Sequence, residues 1–220
     1  MKIAILGGTG DQGFGLALRL AKDNEIIIGS RKKEKAEAAA EKAREILKSK
    51  NILAEIKGLE NKDAAKEGEI VIISIPYEHI LSTIKELKDE LKGKIVVSIA
   101  VPLATAIGDN PTRLLYPPDG SVAEMIQKVL KDSKVVSAFQ NISAKILSDL
   151  DSEIECDILV CGDYEDAKKV VIDLINKMGA RAIDCGNLEK SRIIEGITAL
   201  LIAINKKYKI DRAGIKITGI

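Results

Sequence analysis

The sequence has very few histidines and cysteines. His79 is the only histidine among 220 residues, which excludes every metal site that requires two imidazole ligands. The three cysteines, Cys156, Cys161 and Cys185, are odd in number and contain no C-x-x-C pair, so they indicate neither a disulfide framework nor a zinc cage. We therefore expect a reduced, cytoplasmic protein without a bound metal.

The sequence also lacks a net charge of one sign and long apolar runs. Its 34 lysines and arginines nearly balance 33 aspartates and glutamates, for a net charge of +1, so no overall basic field is available to hold a nucleic acid or an anionic membrane. Every uninterrupted apolar stretch is far shorter than the roughly 20 residues that span a bilayer. The apolar segment 3–6 is too short for a secretory signal. We expect neither nucleic acid nor membrane as a partner.

The composition is that of a folded chain, because hydrophobic residues make up 46% of it. Short β-branched runs alternate with amphipathic patterns, and continuous apolar runs are typical of strands buried on both faces of a parallel sheet. This alternation predicts an α/β fold with a doubly wound, mostly parallel Rossmann sheet, a domain over 1–145 and a small C-terminal α/β domain over 146–220. Strands are expected at 2–6, 25–29, 52–58, 69–76, 94–100, 134–139, 157–162 and 180–185, and helices at 13–22, 31–50, 164–178 and 189–208.

Two later segments depart from this alternation. Prolines and other turn residues cluster in 101–120, which predicts a long loop that is either a lid or an insertion without a catalytic duty. The sequence Ser-Val-Ala-Glu is typical of a capping box, which predicts that a helix begins at Ser121. The last helix, 189–208, is apolar on nearly all sides and is expected to be buried all round, either by the core or by a second subunit. Burial of this helix by a second subunit is the basis for predicting a homodimer.

A glycine motif follows the first strand directly. Gly8, Gly10 and Gly13 satisfy G-x-G-x-x-G, in which glycine permits a tight turn, lets the backbone approach a pyrophosphate and allows the next helix to pack closely on the strand. The strand before the motif and the helix after it are the context that the motif requires. The sequence therefore predicts a dinucleotide site at this turn, with the Asp11 side chain turned away from the anion.

The end of the second strand predicts which dinucleotide is bound. An NAD-preferring site carries Asp or Glu about 20 residues after the motif, but here the chain reads Ser30-Arg31-Lys32-Lys33-Glu34-Lys35. With Ser30 as N-cap, the cations would oppose the helix dipole unless an anion bound there. We therefore expect Ser30, Arg31 and Lys35 to bind the 2′-phosphate of NADP.

The remaining strand ends carry mostly apolar or amide side chains. Such a surface suits flat rings, and hydride transfer between two redox coenzymes needs positioning rather than a protein acid or base. The scarcity of acids and bases at these strand ends favours a coenzyme-to-coenzyme reductase, and we assign no catalytic residue. The residues at these ends are Ser74, Ile75, Pro76, Tyr77, His79 and Leu81, then Val101, Pro102 and Leu103, and finally Gln140, Asn141 and Ala144.

Several segments, spread over nearly the whole chain, together resemble a known family. GGTGDQGFGLALRLA, GSRKKEKAEAAA, SIPYEH, KIVVSIAVPL and CGNLEKSRIIEGITALL are similar to the archaeal reductases that pass hydride between NADP and the 8-hydroxy-5-deazaflavin coenzyme F420. The resemblance implies that 146–220 completes a deazaflavin cleft and that 214–216 lies near it, although Gln140 and Ser143 depart from the His and Pro of some members. The expected cofactor-binding residues are Thr9, Gly10, Asp11, Gln12, Ser30, Arg31, Lys35, Ile75, Pro76, Tyr77, Leu81, Leu103 and Ala144.

Two alternatives to the F420 reaction stay open on the sequence. One is an NADP-dependent reductase of a small imine or carbonyl substrate, which would need His79 or Tyr77 as proton donor. The other is a non-enzymatic NADP sensor whose loop 101–120 contacts a partner protein.

Overall fold

A single eight-stranded sheet forms the centre of the chain, with strand order β3-β2-β1-β4-β5-β6-β7-β8. The computed structural model describes residues 1–220. Neighbouring strands run parallel except β6 and β7, which pair antiparallel, so the predicted doubly wound, mostly parallel sheet is confirmed. The strands are β1 (Lys2–Leu6), β2 (Glu25–Ser30), β3 (Ile56–Glu60), β4 (Ile70–Ile73), β5 (Ile95–Ser98), β6 (Lys134–Ser137), β7 (Asp157–Gly162) and β8 (Arg181–Asp184).

Helices cover both faces of this sheet. One apolar cluster of 32 buried residues lies under α1, α2 and α8, and a second of 21 lies under α3, α4 and α6, because the central strands are apolar on both faces. None of the α-helices combines the length and the apolar character that a membrane span requires. The helices are α1 (Asp11–Leu20), α2 (Lys33–Ser49), α3 (Asn61–Glu67), α4 (Tyr77–Glu86), α5 (Lys88–Leu91), α6 (Val122–Val129), α7 (Ala144–Ser148), α8 (Glu165–Lys177) and α9 (Ser191–Tyr208).

Several predicted boundaries are wrong by a few residues. The third strand begins at Ile56 rather than at 52, because its pairing with β2 begins with Ile56 opposite Ile26. Ser30 is not the N-cap of α2, since it pairs with Glu60 as the last residue of β2. Lys32 takes the N-cap position without a side-chain cap. Helix α1 begins at Asp11, two residues before the predicted start.

The loop 101–120 contains local structure and leads into α6 as predicted. A short 3-10 helix spans Ala104–Ile107, and Leu103 bridges Leu114. Ser121 is the N-cap of α6, and its hydroxyl accepts a hydrogen bond from the Glu124 N–H at 3.0 Å. The loop therefore has local structure of its own before α6 begins.

The part of the chain after 145 continues the same sheet. Its strand β7 pairs with β6 through Gly162 and Cys161, so the division into 1–145 and 146–220 stays a prediction. Helix α9 is not buried all round in the single chain, because Ile193 is 68% and Leu200 59% exposed. Neighbouring elements cover only one face of this helix, which includes Ile194 and Leu201.

Candidate active site

The glycine turn packs closely against the ends of two strands. Gly7 has φ +73°, and a Cβ at this position would lie 2.5 Å from the Ser74 carbonyl oxygen at the end of β4. A Cβ at Gly13 would lie 2.8 Å from the Gly8 Cα and 2.9 Å from the Ser74 Oγ. The turn therefore requires glycine at positions 7 and 13 for backbone geometry and close helix packing.

Gly10 differs from these glycines because its surroundings are open. A Cβ there would find one neighbour within 4 Å, the Gly7 carbonyl oxygen at 3.6 Å. Gly10 is also the N-cap of α1, and no side chain caps this helix. The uncapped N–H groups and the positive end of the helix dipole form a site for an anion, and the missing side chain leaves room for it.

A cavity of about 370 Å³ lies beside this helix end and is strongly basic. Arg31, Lys32 and Lys35 line it, and none of them pairs with a carboxylate of the chain. No aspartate or glutamate lines the cavity. Although Arg31 precedes α2 and does not share a helical face with Lys35, the strand end and the first turn of α2 bring the two together. The cavity suits a phosphate with two negative charges.

Ser30 and Asn61 contribute neutral polar groups to the same cavity. Ser30 is buried, and its hydroxyl accepts from the Lys32 N–H at 3.4 Å, which leaves the hydroxyl proton available to a ligand. Asn61 was missed by the sequence reasoning. Its Oδ1 accepts from the Gly7 N–H at 3.3 Å, so the first residue of α3 supports the glycine turn. Its position directly after β3, at the carboxyl end of the sheet, is the signal that identifies it.

A second cavity of about 360 Å³ lies on the other side of the α1 start and has no charged side chain in its lining. Nine of its 15 lining residues are hydrophobic. Gln12, Leu103 and Ala144 line it, and α9 and the C-terminal segment close one side through Thr198 and Ala213. Such a lining suits an uncharged, flat ring system.

The predicted cofactor residues divide between the two cavities, with three exceptions. Asp11, Tyr77 and Leu81 line neither cavity. Leu81 is exposed, whereas Tyr77 packs against the second apolar cluster, where burial raises its pKa. The basic cavity contains Thr9, Gly10, Ser30, Arg31, Lys35, Ile75 and Pro76, and the uncharged cavity contains Gln12, Leu103 and Ala144.

The groups available for acid–base or thiol chemistry lie away from the uncharged cavity. His79 lines the basic cavity instead, so the reduction of a small carbonyl substrate would lack its expected proton donor. Burial raises the pKa of Cys161 to about 12, and burial also raises the pKa values of Cys156 and Cys185. The thiols therefore remain protonated and are poor nucleophiles.

The chain is similar to known proteins over its whole length. A family model described as "NADP oxidoreductase coenzyme F420-dependent" matches residues 2–102. The F420-dependent NADP reductase of Methanocaldococcus jannaschii is 75% identical, and the match covers 100% of this chain and 99% of that protein. The enzyme of the same name from Methanothermobacter marburgensis is 45% identical, over 100% and 99% of the two chains.

Solved structures show the same architecture. A crystal structure from Arthrobacter sp. FB24, provisionally identified as an F420-dependent NADP reductase, superposes with a TM-score of 0.83 at 26% identity and covers 100% of both chains. Plasmodium falciparum pyrroline carboxylate reductase with NADP bound has a TM-score of 0.62 at 15% identity, over 94% of this chain and 66% of that one, and shares the fold alone. The full-length identity to the archaeal enzymes shows that the chain belongs to the F420-dependent NADP reductase family.

Proposed function

We propose that this chain transfers a hydride between NADP(H) and coenzyme F420 by holding the nicotinamide and deazaflavin rings face to face. The observation that carries this proposal is the division of charge between two neighbouring cavities. One contains three unpaired cations and the other no charged side chain. Gly10 lines the first and Gln12 the second, so the same turn of α1 borders both.

The basic cavity fits the phosphates of NADP. We assign the pyrophosphate to the uncapped N-terminus of α1 beside Thr9 and Gly10. The 2′-phosphate is assigned to Ser30, Arg31 and Lys35, with Lys32 as a further cation. Ile75 and Pro76 form the apolar side of the cavity beyond β4. Asp11, Tyr77 and Leu81 line neither cavity, and no contact is assigned to their side chains.

The uncharged cavity fits the two rings. Leu103 and Ala144 contribute apolar contacts, and Thr198, Leu201 and Ala213 from the part after 145 complete the opposite wall. We therefore assign the role of closing the deazaflavin cleft to 146–220. The loop 101–120 brings Leu103 to the rim of this cavity.

The chain contributes binding, orientation and exclusion of water to this reaction. When bound, the two coenzymes supply the redox chemistry, in which a hydride moves between their rings. The apolar wall removes water from the ring faces, and the anchored phosphates restrict the position of the nicotinamide. No side chain in the uncharged cavity is an acid or a base, which agrees with a reaction driven by positioning.

We further propose that two copies of this chain form a homodimer through α9. Ile193 and Leu200 are seven residues apart and exposed on one face of this helix. The loop 101–120 packs beside it, since the Lys206 Nζ donates to the Asn110 Oδ1 at 3.3 Å. Tyr116 in this loop is 84% exposed. Large exposed apolar side chains on one face of a helix are typical of an interface between subunits.

We place the protein in the cytoplasm. Cys156, Cys161 and Cys185 are all free thiols. Free cysteines without disulfides are typical of a reducing compartment, which supports this assignment.

The decisive experiment mixes the protein with oxidised F420 and NADPH under anaerobic conditions and follows the loss of deazaflavin absorbance. A parallel reaction contains NADH. Rapid reduction by NADPH, with much slower reduction by NADH, is the expected result. Tight NADPH binding without reduction of F420 would overturn the proposed reaction and leave the nucleotide site intact.

A further inference from the structure

Gln12 lines the uncharged cavity, and its side-chain amide bonds to Phe139 and Ile142 in the same lining. We propose that Gln12 is a positioning residue that holds the turn 139–142 in place. This turn lines the uncharged cavity, which is called the ring cavity below. This inference rests on the proposed hydride transfer. It goes beyond the expectation that Gln12 is a cofactor-binding residue, because it assigns the side chain a role within the chain.

The hydrogen bonds of Gln12 determine the orientation of its side-chain amide, that is, which end carries the nitrogen. The Nε2 donates to the Phe139 carbonyl oxygen at 3.2 Å and to the Ile142 carbonyl oxygen at 3.1 Å. Both partners are acceptors only, so the NH₂ end of the amide must face them. Both amide protons are used within the chain, and no donor remains on this side chain for a phosphate of the nucleotide.

The turn 139–142 is strained and needs support from outside. Phe139 has φ +70° although it is not glycine, and it is 1% exposed. Such a conformation persists only where the surroundings determine it strongly. The Gln140 Nε2 donates to the Ser98 carbonyl oxygen and to the Ser137 Oγ, both at 2.8 Å. The Thr198 Oγ1 donates to the Gln140 carbonyl oxygen at 2.7 Å.

Gln12 is the support that comes from the nucleotide-binding helix. Four consecutive residues of the turn, 139–142, line the ring cavity, so a shift of the turn moves the surface on which a ring rests. Because α1 also presents its N-terminus to the basic cavity, the same helix determines the position of both binding surfaces. A displacement of about 1 Å at a reacting centre lowers a rate by up to about 100-fold.

Gln12→Met tests this role because Met keeps the length of the side chain and removes the donor. We expect the Kd for NADPH, measured by fluorescence, to change less than about threefold, while the single-turnover rate of F420 reduction falls at least about tenfold. Gln127→Met is the matched control. The Gln127 Nε2 also donates to two carbonyl oxygens, of Leu130 and Ser133, both at 3.0 Å, but it lines neither cavity. Its rate and Kd should match those of the wild type.

A second measurement does not depend on activity. Hydrogen exchange of the amides in 138–143 should accelerate in Gln12→Met and not in Gln127→Met, because only the first variant loses a support of the turn. A weakening of NADPH binding by tenfold or more at an unchanged rate would identify Gln12 as a direct ligand. If hydrogen exchange in 138–143 is the same in Gln12→Met and in the wild type, the positioning role is wrong. This result does not depend on F420 reduction, so failure of the positioning role can be distinguished from failure of the proposed hydride transfer.

Discussion

The carboxylate of Glu195 on α9 accepts a hydrogen bond from the Val122 N–H at the start of α6, at 2.9 Å. Its other oxygen accepts from the Ala123 N–H at 3.1 Å, so a buried carboxylate from the last helix caps α6. Burial raises the pKa of Glu195 to about 7, although the two N–H donors act in the opposite direction. The neighbouring Glu124 adds to the increase.

This carboxyl predicts a dependence of stability on pH. Because its pKa is higher in the folded chain than the ordinary 4.5, the folded state binds more protons, and the free energy of unfolding falls as pH rises. The contribution, on the order of 3 kcal/mol, is complete below about pH 4.5 and lost above about pH 7. Urea unfolding of the wild type and Glu195→Gln across this range measures it.

Glu195→Gln should lose this part of the pH dependence, because an amide does not titrate. If the variant and the wild type show the same slope between these pH values, the assignment of the titration to Glu195 is wrong. The comparison uses slopes, since the amide also replaces one acceptor by a donor and changes the stability at every pH.

Two glycine substitutions should separate folding from binding. In Gly13→Ala the new Cβ would lie 2.8 Å from the Gly8 Cα, and we expect a loss of about 1–3 kcal/mol in the free energy of unfolding. In Gly10→Ala the nearest neighbour is 3.6 Å away, so the free energy of unfolding should fall by less than about 1 kcal/mol, the cost of Ala at an N-cap, while the methyl group occupies the space assigned to the pyrophosphate. Thermal unfolding and NADPH titration of both variants measure the difference. Wild-type affinity in Gly10→Ala would contradict the placement of the pyrophosphate.

Arg31→Ala should weaken NADP binding selectively. Arg31 lines the basic cavity and has no salt bridge within the chain, so its removal should leave stability unchanged. We expect NADP affinity to fall by about 1–3 kcal/mol and NAD affinity to stay nearly constant, because only NADP carries the 2′-phosphate. Isothermal titration with both nucleotides measures this.

Lys33→Ala is the matched control for this site. Lys33 lies two residues further along, pairs with Glu37 at 3.7 Å and lies outside the cavity. Its removal should change the affinity for NADP little. If Arg31→Ala and Lys33→Ala lose the same affinity for NADP, the cause is a general effect of charge. If Arg31→Ala loses the same affinity for NAD as for NADP, the assignment of the 2′-phosphate to Arg31 is wrong.

Leu200→Asp should dissociate the proposed homodimer. Leu200 is 59% exposed in the single chain, and a carboxylate buried in an apolar interface without a partner is strongly unfavourable. Sedimentation should show about twice 23.8 kDa for the wild type and a single chain for the variant. Leu53→Asp, at a residue that is 94% exposed outside this face, should leave the dimer intact. A wild type that sediments as a single chain would overturn the homodimer.

The sheet and the glycine turn could be predicted because their signals are local. The apolar runs of β1 and β4 and the spacing of Gly8, Gly10 and Gly13 depend on residues close together in the chain. The place of Asn61 after a strand is visible in the sequence, but its hydrogen bond with the Gly7 N–H could not be predicted, since the two residues are 54 positions apart. The start of α2 was misassigned for a related reason, because the pairing of Ser30 with Glu60 overrides its preference for an N-cap position.

The amino-acid pattern alone therefore specified an α/β nucleotide-binding fold and a cluster of cations suited to NADP. Only the folded chain divided the strand-end residues into a basic and an uncharged cavity. It also directed the Gln12 amide to the carbonyl groups of Phe139 and Ile142, more than a hundred residues further along the chain. Local propensities act over a few neighbouring residues, whereas these contacts depend on how strands and helices meet after the chain has packed.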